Sequence, residues 1–363
     1  MKVPVSKPKP DFQNFIDVLV GGKKPTRPLL MEYVVDEEVR KYIGENLLGQ
    51  KWVYPNFQDN DSIHKYFRNY IDFWYKLGYD FVRYEEGCGF YGLHRVGSDT
   101  AELSREKRNW VEEGKGLVSN WEEFEKYNWP PTDKFDLSRY EFIAKNLPDG
   151  MGFIVSHCAG IFENAVENIL GFEGVSYLLY DNPELVFAVF KKTGEIIYAF
   201  YQQLLEIDGI GCAFQGDDMG FRTSTFLPAD ILREHILPWH KKIAELAHQK
   251  SIPYFLHSCG NIYEIMDDLI KDVKIDGKHS TEDAIMNIID FRKKYPEIAA
   301  LGGVDINILG SSDESKIRSY VKNIMDNCML EGKFALGSGN SIPNYIPIKN
   351  YLTMLDAALS WQM

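Results

Sequence analysis

His257 and Cys259 stand two residues apart at the end of a short apolar run, in the stretch PYFLHSCGN at 253–261. Successive side chains on a strand alternate between faces, so residues at this spacing point the same way. An imidazole and a thiol on one side of a strand end supply a nitrogen and a sulfur, which is half of a zinc site. The competing reading is a hydrogen-bonded core histidine beside a small buried thiol. An H-x-C pair alone does not decide between them.

Other chemistry-bearing residues fall in the same relation to apolar runs. Glu32 lies in PLLMEY (28–33), Glu85 follows YDFVRY (79–84), and His157 follows GFIVS (152–156). Asp217 and Asp218 come just after IGCAFQ (210–215), and His279 ends IDGKH (275–279). Asp305 follows IAALGGV (298–304), and Ser338 and Asn340 follow FALG (334–337). A random scatter of polar residues would not select one end of every run. Some members have plain structural readings. Asp217 and Asp218, in QGDDMGF, suit a turn cap, and His157 and Cys158 point to opposite faces, so one at most faces inward. Met219, Phe221, Tyr263 and Tyr345 read as packing residues.

The elements that must position these groups alternate. Helical patterns are predicted over 11–20, 35–48, 61–77, 183–207, 228–250, 263–270, 282–294, 312–330 and 348–359, with Pro238 kinking or dividing the fifth. Strand then helix, about eight times, predicts a parallel sheet and the (β/α)8 TIM barrel, an α/β fold. Barrel sites lie at the carboxyl ends of the strands, where this polar series falls. Residues 1–27 read as an arm and short helix, and 28–363 as one barrel domain. The stretch 88–150 breaks the rhythm, with periodicity only around 120–127 and 136–147, and reads as an insertion after the second strand, covering one mouth.

Composition narrows the function. The chain has 363 residues, 45% hydrophobic, with formal charge −13, which opposes nucleic-acid binding. No run is long enough to span a bilayer, and no signal segment is evident, so a cytoplasmic protein is expected. Five scattered cysteines do not form a disulfide framework. G-x-G-x-x-G after the first strand, Walker, G-x-S-x-G and H-E-x-x-H motifs are missing, which removes support for dinucleotide, nucleotide triphosphate, serine hydrolase and zincin readings. A homodimer is left open.

HSCGN and GDDMGF, followed by GGVD and the terminal LGSGNSIPNYIP, resemble the uroporphyrinogen decarboxylase superfamily, best from about residue 211 onward. That resemblance implies one of two activities. One branch consists of cofactor-free decarboxylases, with an arginine-rich segment after the first strand. The other consists of corrinoid-dependent methyltransferases, with zinc on a His-x-Cys pair and a later Cys. Here the first-strand segment reads MEYVVDEEVR, acidic where the decarboxylase has cations, and His257 and Cys259 match the zinc pair. The later Cys is replaced by Ser338, a poorer zinc ligand. Against the resemblance, this leaves either a zinc site completed by a carboxylate from Asp218, Glu85 or Glu32, which is the first expectation, or zinc that is weakly held or absent. Asp217 joins these three as a catalytic candidate, and Asn340, Ser338 and Asp305 are candidate cofactor contacts. The implied reaction moves a methyl group between a small molecule (a methoxy-aromatic undergoing O-demethylation, a methylamine or a thiol) and cobalamin. With no D-x-H-x-x-G corrinoid motif present, the corrinoid is expected on a partner protein. A carboxy-lyase and a non-catalytic binding subunit are the alternatives.

Overall fold

A computed structural model describes all residues except 1, 2, 4, 57, 102, 105, 113 and 363, and all side chains of the others except those of 109–111. Its centre is a curled parallel sheet of seven strands. These are β1 (Phe81–Glu86), β4 (Gly152–His157), β5 (Ile210–Gly216), β6 (Tyr254–His257), β7 (Gly277–His279), β8 (Ala299–Val304) and β9 (Phe334–Ser338). They neighbour one another in chain order, β1-β4-β5-β6-β7-β8-β9. Strands β4 to β9 are almost wholly buried. This explains their near-continuous apolar sequences, since helices cover the outer face of such a sheet and its inner face packs on itself.

The first predicted strand, 28–33, is not a strand of the sheet. The chain there meets β9 and the segment after it through bridges Leu30–Leu336 and Val35–Ile342. Met31 N–H donates to the Leu336 carbonyl at 2.8 Å, and Leu336 N–H to Leu29 at 2.9 Å. This segment takes the eighth stave's place on the β9 side. Among the described residues no backbone hydrogen bond joins it to β1, so a seam runs between them.

Helices follow the strands much as the periodicity predicts, with local causes for their ends. The helix Pro183–Leu204 starts on its proline. The predicted run 228–250 divides into Ala229–His235 and Leu237–Gln249, the second carrying Pro238 in its first turn. Asp313 caps Glu314–Cys328 by accepting from Lys316 N–H. The helix Ile348–Leu359 keeps its predicted bounds. Two stretches differ from expectation. Residues 161–181 form Ile161–Glu163, a π-helical run Asn164–Leu170 and Phe172–Asp181, where no helix is predicted. Within 88–150 the chain makes an antiparallel hairpin that the sequence does not predict, β2 (His94–Ser98) with β3 (Lys107–Val111), while the helices Trp121–Lys126 and Ser138–Lys145 fall where periodicity is read.

One end of the barrel is stoppered. The helix Phe12–Leu19, capped by Asp11, places Phe12 against the first residues of β4 and β5. A side chain on Gly152 or Gly211 would meet that ring at about 2.1–2.2 Å. Among the described residues no helix is long and apolar enough to cross a membrane.

Candidate metal site at the carboxyl ends of the strands

Three side chains from β5 and β6 converge. One ligand atom each from Asp218, His257 and Cys259 lies within 4.8 Å of the other two. His257 Nε2 is 3.4 Å from Asp218 Oδ1 and 3.4 Å from Cys259 Sγ. Cys259 N–H donates to Asp218 Oδ1 at 2.7 Å, so the loop carrying the sulfur is tied to the carboxylate. Tetrahedral zinc, with bonds of about 2.1 Å to nitrogen or oxygen and about 2.3 Å to sulfur, sets its ligand atoms roughly 3.4–3.6 Å apart. The histidine nitrogen stands at that spacing from both the oxygen and the sulfur, and the three atoms lie within 4.8 Å of one another, so the residues fit such an ion. A carboxylate and a thiolate would also neutralise its two charges.

A hydrogen-bond relay prepares His257 for this role. His279 Nε2 lies 3.0 Å from the Ser338 carbonyl, which only accepts, so the proton is on Nε2. Burial, reinforced by His257, holds the His279 pKa well below the usual histidine value, so the ring is neutral and its Nδ1 is bare. His257 Nδ1 is 2.7 Å from that nitrogen and must donate to it. The lone pair of a neutral His257 then sits on Nε2, facing Asp218 and Cys259. A second partner that fixes the tautomer is the usual companion of a ligating histidine. The paired register of His257 and His279 on β6 and β7 creates the contact. Tyr33 stacks on the His257 ring at 4.0 Å with planes 6° apart, and Arg83 lies 3.7 Å from the same tyrosine ring.

The electrostatics around the triad are uneven. Burial raises the Asp218 pKa, but His257 and Cys259 outweigh it and the net shift is downward. Burial and the Asp218 charge push the Cys259 thiol well up. Asn340 Nδ2 donates to Cys259 Sγ at 3.1 Å, and Ser280 Oγ approaches it at 3.8 Å. Lys278, 1% exposed, lies under the same loop, 3.4 Å from the Ser258 carbonyl, and burial lowers its pKa to about 8. Glu163 accepts from Gly160 N–H at 3.0 Å, and burial, then the charges of Asp218 and Asp217, raise its pKa well above the carboxylate range.

The other sequence candidates lie elsewhere. Asp217 points away from Asp218. It is fully buried, accepts from Phe162 and Glu163 N–H at 3.1 and 2.9 Å, and lies 2.8 Å from His240 Nε2. It caps the unpredicted helix at 161. Glu32 is also fully buried and holds Ser338, whose hydroxyl contacts Oε1 and whose N–H donates to Oε2 at 3.2 Å. Ser338 therefore faces Glu32, and neither belongs to the convergent group. Burial raises the Glu32 pKa to about 8. Glu85 takes Arg83 Nη2 at 2.6 Å and Tyr33 hydroxyl at 3.5 Å. Asp305 caps Ile306–Ser311 through Asn307 N–H at 2.7 Å. It shares a cavity of about 360 Å3 with Asn340, Thr281, Glu282, Gly339 and Tyr345. His157 is buried and both ring nitrogens are used, by Cys88 N–H and by the Ala159 carbonyl. Met219 and Tyr263 pack as expected, but Phe221 and Tyr345 are more than half exposed.

Sequence reasoning did not single out Tyr33, Glu163 or Lys278. Glu163 carried a signal, since Gly160-x-x-Glu163 at a strand end is a capping-box spacing. Tyr33 and Lys278 carried none, because their roles depend on which strands become neighbours.

A search of curated proteins finds no match to the chain. Among solved structures, a methyltransferase from Methanosarcina mazei is similar over 95% of this chain and 97% of its own, with TM-score 0.65 and 15% identity. A B12-independent methionine synthase from Shewanella sp., in complex with selenomethionine, is similar over 93% and 96%, with TM-score 0.53 and 8% identity. At these identities the likeness is one of fold. The family model described as uroporphyrinogen decarboxylase (URO-D) matches residues 137–361, more than half of the chain and all of it from β4 to the last helix. By that match the chain belongs to the uroporphyrinogen decarboxylase family.

Proposed function

We propose that the chain is a methyltransferase that moves a methyl group between a small substrate and a cobalamin carried on a partner protein. In this reading Asp218, His257 and Cys259 hold a Zn2+ ion. The observation that carries it is the convergence of those three ligand atoms, with the His257 proton fixed on the far nitrogen. When bound, the ion would supply Lewis acidity toward a leaving group or lower the pKa of a thiol substrate.

The chain's own residues do the rest. Asp218 holds the Cys259 backbone in place, and His279 fixes which His257 nitrogen is free. Asn340 donates to the sulfur and so moderates its charge. Glu163 keeps a proton on a carboxyl near Asp218, which suits it to protonate a departing phenoxide or amine. The Tyr33 and Arg83 layers exclude water from one side of His257.

The test is zinc analysis and methyl transfer from methylcobalamin for the wild type and for Asp218→Ala, His257→Ala and Cys259→Ala. Each substitution is expected to lower zinc content and transfer together. Unchanged transfer in all three would reject the site. A parallel incubation with uroporphyrinogen addresses the carboxy-lyase reading, which is disfavoured because MEYVVDEEVR stands where the resemblance places the arginine-rich segment that would meet a polyanion. A wild type that holds zinc and transfers no methyl group would favour the non-catalytic reading.

A further inference from the structure

The seam between β1 and residues 29–35 holds a second cavity, of about 390 Å3, that shares no lining residue with the one beside Asn340. Its walls include the rings of Tyr33, Tyr66, Tyr70 and Tyr84, and two arginines, Arg40 and Arg83, reach it. Arg83 is 2% exposed. It lies over Tyr33, gives Nη2 to Glu85, and its buried Nε has no hydrogen-bond partner among the described residues. Arg40 lies 4.5 Å from the centre of the Tyr70 ring, gives Nε to the Val35 carbonyl at 3.0 Å, and contacts the Tyr66 hydroxyl at 3.4 Å. Among the described residues Arg40 makes no ion pair, although the charge of Glu37 acts on it. The acidic groups at this cavity are already matched, Glu85 by Arg83 and Glu86 by Arg139.

We infer that this cavity is a binding subsite for a small aromatic carboxylate. An arginine with an unmet buried N–H and a second arginine without an ion pair call for an acceptor anion, and a planar carboxylate matches the guanidinium fork. Four tyrosine rings offer stacking and edge contacts to an aromatic body. The volume lies within the range of small-ligand pockets. Tyr33 places the ligand beside the metal triad, because one ring borders the cavity and stacks on His257. The aromatic walls come from Tyr33, the helix Asn60–Leu77 and β1. As the recognition element for a substrate this rests on the proposed methyl transfer; as a binding site it does not.

The experiment is titration calorimetry of benzoate into the full-length zinc-loaded protein, with anisole and cyclohexanecarboxylate as controls, in the wild type, Arg40→Gln and Arg83→Lys. Arg40 is half-buried, so its variant tests the site even where Arg83→Lys fails to fold. Benzoate is expected to bind the wild type and to bind Arg40→Gln about ten- to a hundred-fold more weakly, the usual loss for a hydrogen bond to a charged group. Both controls are expected to bind more weakly than benzoate. No benzoate binding, equal affinity in Arg40→Gln, or cyclohexanecarboxylate bound as tightly as benzoate overturns the inference. Absence of zinc from the wild type would instead count against the proposed function, while benzoate binding with the stated dependence on Arg40 would still support this site.

Discussion

Replacing Glu32 by Gln should stabilise the protein in a pH-dependent way. The side chain is fully buried and faces Ser338, and burial raises its pKa from 4.5 to about 8. Between those values the folded chain keeps a proton that the unfolded chain releases. Its folded pKa is the higher one, so its contribution is intact below pH 4.5 and is lost as pH rises toward 8. At neutral pH the shortfall is about 3 kcal/mol, the interval of 2.5 units at roughly 1.4 kcal/mol each. Glutamine reproduces the shape of the protonated acid and does not ionise, and its amide can still meet the Ser338 hydroxyl and N–H. The variant should therefore match the wild type near the lower bound and exceed it increasingly above. For a chain of this length about 3 kcal/mol is a shift in melting temperature of roughly 4 °C. Thermal melts of both proteins at steps across that pH range measure it. A constant offset at every pH, or a gap that closes on going alkaline, would show that Glu32 is ionised in the fold and would reinstate it as a charged site residue.

Three other substitutions separate ligation from support. His279→Phe removes the acceptor of the His257 Nδ1 proton and should weaken zinc binding about 10–100-fold, read by competition with a chromophoric chelator; unchanged affinity would mean the relay does not set the tautomer. Asp217→Asn breaks the buried contact with His240 and weakens the cap at Phe162 and Glu163, so stability should fall by roughly 3 kcal/mol while zinc content holds. A loss of zinc without destabilisation would place Asp217 in the site. His157→Gln should flatten the acid limb of stability. Burial depresses the His157 pKa from 6.5 to about 4, so the stability it contributes is complete above the higher value and is lost as pH falls toward the lower. The span is about 3 kcal/mol, and equal slopes for wild type and variant would contradict it.

The parallel sheet was legible because each apolar run is short, buried on both faces and followed by a helical period. The His257–Cys259 pair was legible for a more local reason, since strand alternation alone sends both to one side. What could not be read is pairing across long separations. Glu32 and Ser338 meet only because residues 29–35 lie along β9. Asp217 and Asp218 were indistinguishable in sequence. A helix start at 161 with N–H groups to satisfy, and His240 on a later helix, claim the first and leave the second. That helix was itself hidden, because a π-helical run and Gly171, at φ +72°, interrupt the 3.6-residue period. The hairpin of β2 and β3 is charged and short, without the apolar alternation that marks a strand.

The two cavities bear on the proposed chemistry through the residues that separate them. Asn340 borders one and touches Cys259, while Tyr33 borders the other and covers His257. The cavities thus reach the triad through different ligands. Transfer of a methyl group needs donor and acceptor aligned on opposite sides of the carbon, which a single pocket beside the triad would not provide. Two approaches permit it, and they differ in chemistry. The Asn340 side is polar and carries Asp305 and Glu282, while the Tyr33 side is lined with rings and carries two arginines beside Glu85 and Glu86. On the proposed reading the aromatic side holds the small substrate, and the polar side is left for whatever carries the cobalt. Ser338 is consistent with this division. A thiolate ligand there would stand against Glu32 and approach from β9, whereas Asp218 from β5 leaves that wall to the neutral Glu32–Ser338 pair.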